Sequence, residues 1–147
     1  MKYYKVIEKI EFKGITLGII INRNFSQEGI QFFTNDIDSQ QLGYMNRPEG
    51  YEIKPHRHNL VQREVHLTQE VLFIKSGKVR VDFYSNEQEY LESRILYKGD
   101  VILLSDGGHG FKMLEPCEII EVKQGPYCGE RDKVRFEPVD DSLINLK

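Results

Sequence analysis

Thr68-Gln-Glu-Val-Leu-Phe-Ile-Lys-Ser-Gly-Lys-Val-Arg-Val-Asp-Phe-Tyr84 decides the fold class. From Lys78 to Tyr84, Val79, Val81 and Phe83 alternate with Lys78, Arg80, Asp82 and Tyr84. That period of two gives a strand one dry face and one polar face. Residues 68–75 form a second apolar run. The Ser76-Gly77 step between the two runs predicts a tight hairpin, with glycine supplying a positive φ. Working outward, short runs rich in β-branched and aromatic residues recur at 5–12, 16–22, 31–35, 41–47 and 51–58. Further ones follow at 90–97, 101–104, 110–114 and 118–123, with a last short one at 133–136. Helical periodicity is scarce, and the one predicted helix covers 85–91. Arg47-Pro48-Glu49-Gly50, Lys98-Gly99-Asp100, Asp106-Gly107-Gly108 and Gly125-Pro126 read as loops inside one domain. The expectation is an all-β chain of roughly eleven short strands.

Composition agrees and narrows the function classes. The 147 residues are 39% hydrophobic and 29% charged, a globular balance sized for one domain. A net charge of −3 gives no footprint for nucleic acid. The longest apolar stretch, Ile15–Ile21, is broken by Thr16 and Gly18. It falls far short of the ~20 residues a membrane helix needs. The start of the chain alternates apolar with charged residues and lacks the apolar centre of a signal peptide. Cys117 and Cys128 form no CxxC pair, so free thiols and a cytoplasmic location are expected.

Four histidines occur: His56, His58, His66 and His109. In a strand, residues i and i+2 share a face, so His56 and His58 would project together while Arg57 points away. Two such imidazoles suit one divalent metal, Zn, Fe, Ni, Cu or Mn. The alternative is an exposed pair at a strand end.

Around these residues the sequence resembles the cupin superfamily over about residues 40–125. Its first motif is matched by Gly50, His56, His58, Glu70 and Gly77, and its second by Gly99, Gly107 and His109. Eleven residues separate His58 from Glu70, Ser105 stands at the second motif's proline, and Met113 at its asparagine. The resemblance implies a double-stranded β-helix, a cupin jelly-roll barrel, with residues 1–39 as an N-terminal strand extension and 126–147 as a C-terminal segment. It also implies a divalent metal (Zn, Mn, Fe or Ni) bound by His56, His58, Glu70 and His109. Ionisable groups aimed into an apolar barrel agree with that, because they are costly to bury unless paired or metal-bound. In the intervening segment, strand parity would put His66 and Thr68 on the face of Glu70. The plainer reading of this stretch is a solvated loop over the barrel mouth.

Glu118 to Glu137 is similar to the end of the cupin domain of type II mannose-6-phosphate isomerases, through Gly125, Tyr127, Gly129-Glu130, Asp132 and Arg135-Phe136. That similarity implies sugar-phosphate or nucleotide-sugar chemistry, with Arg135 and Tyr127 as substrate contacts. A guanidinium suits an oxyanion, although Arg135 could equally be the solvent side of an edge strand. The function expected is isomerase-like turnover of a small polar molecule, with Glu70 or His66 as acid–base group where not ligating. A non-catalytic sugar-binding module and an Fe(II) dioxygenase are the alternatives. The apolar N-terminal strands, with Tyr3, Tyr4, Phe12, Phe25, Phe32 and Phe33, predict a homodimer.

Overall fold

The computed structural model describes residues 6–147; Tyr3, Tyr4 and Lys5 lie outside the described residues. The described chain is all-β. Its strands are β1 (Ile7–Phe12), β2 (Ile15–Ile21), β3 (Gly29–Phe32), β4 (Gly43–Asn46) and β5 (Glu70–Ser76). Then come β6 (Lys78–Tyr84), β7 (Tyr90–Tyr97), β8 (Val101–Leu104), β9 (Gly108–Met113) and β10 (Glu118–Lys123). Two short 3-10 turns, Gly129–Asp132 and Asp141–Leu143, follow. The chain divides into two compact units, residues 6–25 with 67–147, and Ser26–His66. Among the described residues no helix is long and apolar enough to cross a membrane.

The larger unit stacks two antiparallel sheets, ordered β1-β2-β8-β5-β10 and β7-β6-β9. Ile10, Leu17, Ile20, Leu72, Ile74, Ile102 and Leu104 from the first meet Val79, Val81, Phe83 and Leu96 from the second in one core. Each fully buried side chain of this kind contributes about 1.5–3 kcal/mol. The layers approach closely at Gly18, where a Cβ would stand 3.1 Å from the Phe83 ring. Neither ladder closes on itself, so the sheets form the layers of a sandwich and not a hydrogen-bonded closed barrel. Residues of the supposed N-terminal extension, in β1 and β2, are built into the larger sheet, with β2 paired to β8.

Several expectations are corrected here. β5 and β6 are not a hairpin: Gly77 (φ +85°) turns the chain out of one sheet and into the other. The polar face of β6 is buried, because residues 139–147 lie across it. There Arg80 grips Asp82 through Nε (2.8 Å) and Nη2 (2.9 Å) and reaches Asp141 at 3.0 Å. Ser93 donates to Asp82, and Tyr84 and Tyr90 hydroxyls accept the backbone N–H groups of Val139 and Asn145. The helix expected at 85–91 is a turn. Ser85 Oγ accepts from the N–H groups of Glu87 and Glu89, and Gln88 takes φ +69°, so β6 and β7 join directly. No strand forms at 133–136; Phe136 instead packs edge-on against Tyr84, centroids 5.0 Å apart.

Residues 51–66 carry no regular structure and are exposed. The strand expected at 51–58 is therefore absent. Pro55, directly before His56, has no N–H to give a ladder. In the smaller unit β3 and β4 pair as a hairpin. Its connection is tied by Gln41, whose amide donates to the carbonyls of Asn35 (2.8 Å) and Asp38 (3.0 Å).

Candidate functional site

Glu70 opens β5, flanked by β8 and β10. Period-two geometry puts it on the face of Leu72 and Ile74, so its carboxylate points inward at the end of the core, only 9% exposed. On β10, Lys123 lies opposite Glu70, and on the same inward face Glu121 lies opposite Leu72. In the second sheet His109 on β9 lies opposite Phe83, a wholly buried core residue, which turns the imidazole inward as well. Gly107 (φ +70°) makes the approach to β9, and a Cβ there would stand 2.7 Å from both Leu17 and the Tyr84 carbonyl.

Two sheets thus deliver opposing groups to one place. His109 Nε2 stands 3.4 Å from Glu70 Oε2, and Lys123 Nζ stands 3.7 Å from Oε1 and 3.5 Å from Glu121. Hydrogen bonding by His109 holds the Glu70 carboxyl below its ordinary range. The charges of His109, Lys123 and Lys133 add to this, and burial opposes it. A carboxylate clamped between an imidazole and an ammonium can accept or return a proton through His109 or ligate a cation with it.

The other predicted residues are placed differently. His56 and His58 sit in the irregular stretch, their rings 5.4 Å apart and edge-on. The Lys54 carbonyl, an acceptor only, lies 2.9 Å from His56 Nδ1. Nδ1 therefore donates, leaving Nε2 free as a metal donor. His66 is exposed and stands 3.5 Å from Glu64, also exposed. Strand parity from His66 through Thr68 to Glu70 fails, since β5 begins at Glu70. Tyr127 is 88% exposed. Arg135 pairs with Glu130 on the surface.

The donor types at Glu70 and His109, and at His56 and His58, fit a divalent metal. Among the described residues, however, no three His, Cys, Asp or Glu side chains gather closely enough to hold one. Sequence reasoning missed Lys123 and Lys133. The signal lay in alternation along β10, which puts Lys123, Glu121 and Ile119 on one face. Comparison of the chain with protein-family models, curated proteins and solved structures gives no match.

Proposed function

We propose that the chain is a metal-binding double-stranded β-helix of cupin type, acting in the cytoplasm on a small polar molecule, a sugar phosphate or nucleotide sugar. The winding supports this: β5, β8 and β10 lie in one sheet and the intervening β6, β7 and β9 in the other. The observation that carries the reading is the Glu70–His109 pair. These residues are 39 positions apart, come from different sheets and meet at 3.4 Å on inward faces. They are also the two residues of the larger unit that the motif reading selects as ligands. His56 and His58 are proposed as the remaining ligands.

A bound divalent ion would supply Lewis-acid polarisation of a carbonyl or hydroxyl. Glu70 and His109 would be two of its ligands, and the acid–base role expected of Glu70 or His66 would fall to His66, the one of the two outside the ligand set. Metal content of protein purified without chelator, set against His109→Ala and His56→Ala, tests the reading. Stoichiometric metal in the wild type and loss in both variants is expected. A metal-free wild type whose melting temperature ignores added Mn, Fe, Ni or Zn overturns it.

One observation favours a second reading, a metal-free binding module. Lys123 already stands as cation beside Glu70, so the pair has a counter-charge without any ion. Under that reading the same metal assay gives no metal, while ligand still binds.

A further inference from the structure

Beside the Glu70–His109 pair, on the same unit, β10 runs into the turn at Gly129–Asp132 and leaves a concavity. Its lining includes Thr68, Lys123, Tyr127, Cys128, Asp132 and Lys133. The floor is tied together by Thr68, whose hydroxyl donates to Asp132 and so holds the turn against the start of β5. Glu130, also in the wall, is neutralised by Arg135. Lys123 and Lys133 remain as the cations of the concavity, both in its lining. Lys123 shares its charge between Glu70 and Glu121. No carboxylate among the described residues lies within 4.0 Å of the Lys133 ammonium.

We infer that Lys123 and Lys133 form an oxyanion subsite, which takes the phosphate of the ligand while its carbon skeleton reaches toward Glu70 and His109. Two neighbouring ammonium groups repel each other, and an oxyanion seated between them turns that repulsion into two charge-assisted contacts. The Lys133 ammonium brings three N–H donors, and Lys123 adds what its contacts to Glu70 and Glu121 leave over. The exposed Tyr127 phenol at the rim offers a flat apolar face and a donor to the rest of a polar ligand. Arg135, which the sequence offered for this role, pairs with Glu130 at the surface, whereas Lys133 has no such carboxylate partner among the described residues. The assignment deepens the sugar-phosphate reading and rests on it for the ligand class. The subsite itself needs no metal.

The test uses the full chain stripped with EDTA, with inorganic phosphate as probe and amide chemical shifts as readout. Phosphate should shift the amides around 123–133 saturably, weaken with added salt, and lose about tenfold in affinity in Lys133→Glu. Lys75→Glu, an exposed lysine on the outer face of β5, serves as the control for general charge effects. It should stay within about twofold of wild type on the same scale. Lys133 is exposed, so its replacement leaves the core intact. Equal weakening by both variants, or shifts scattered away from 123–133, overturns the subsite. Metal assays in phosphate-free buffer separate that outcome from failure of the metal reading. A glucose 6-phosphate titration set against glucose then tells a phosphate subsite from a plain sugar site: tighter binding of the phosphate ester is required, and equal affinity refutes the assignment.

Discussion

Glu70 is a buried carboxylate whose proton affinity is set by its neighbours. His109 contributes most to holding its pKa below the ordinary 4.5, with Lys123 and Lys133 adding to it. The folded chain therefore keeps the charge at pH values where the unfolded chain has taken up a proton. Its contribution to stability is complete above about pH 4.5 and fades as pH falls through the lower folded value. Glu130, Asp140 and Asp141 are depressed as well, so the group must be isolated by difference. Melting temperatures of wild type and Glu70→Gln should differ by a constant amount from pH 5 to 6.5 and converge below pH 4.5. A gap that widens toward acid would contradict the clamp. Gly77 gives a second residue-scale expectation. Its φ of +85° already penalises any side chain, and a Cβ would stand 2.1 Å from the Pro116 carbonyl. Gly77→Ala should cost at least about 2 kcal/mol. For a chain of this size that lowers the melting temperature by roughly 4–8 °C. Gly50→Ala, also at positive φ but with open space around it, meets no such clash and should cost less.

Among the elements, β6 shows both what a sequence pattern conveys and where it stops. Its boundaries and its alternation are legible directly, because Val79, Val81 and Phe83 need a core. The destination of Arg80 and Asp82 is not legible, since a polar face reads the same whether water or a returning chain segment covers it. Here residues 139–147 cover it, through Asp141 on Arg80 and Lys112 and through Asn145 on Ser93. Asp82→Ala would leave a buried guanidinium with only the exposed Asp141 as partner, at a cost of about 3–5 kcal/mol. Chemical denaturation measures this. Truncation after Pro138 should lower stability in the same direction, and unchanged midpoints in both would show that the tail is not a structural cover. The same limit explains the site. Glu70 and His109 were legible through the motif spacing that resembles the cupins, with which the cost of burying a carboxylate and an imidazole among apolar residues agrees. Lys123 was not, because a lysine ending an edge strand looks like ordinary solvent-facing charge until the pairing with Glu70 is known. The 51–58 stretch misled for a third reason. Its alternation resembles a strand, but Pro55 withholds a donor and no ladder partner takes up the segment.

At the scale of the molecule, the candidate chemistry is divided between a packed sandwich and a long exposed stretch. The sandwich holds Glu70 and His109 in strands whose backbone groups are paired on core-forming sheets, so their approach is fixed by folding itself. Residues 51–66 have no such support: their amides lie outside any ladder and their side chains are exposed. Local opening there costs little free energy, and a protease should find it before any strand of the larger unit. Limited trypsin digestion of EDTA-treated protein should therefore cut first after Arg57 or Arg63, since the Lys54–Pro55 bond resists. Arg80 and Arg94, in paired strands, should survive much longer. If His56 and His58 complete a metal centre, adding Mn or Zn must order this stretch and slow those first cuts. The protection should disappear in His109→Ala, whose own early cuts remain as fast as those of the stripped wild type. Metal-independent cutting at 51–66 in the wild type would remove His56 and His58 from the centre and leave Glu70, His109 and the two lysines as a site of the sandwich alone.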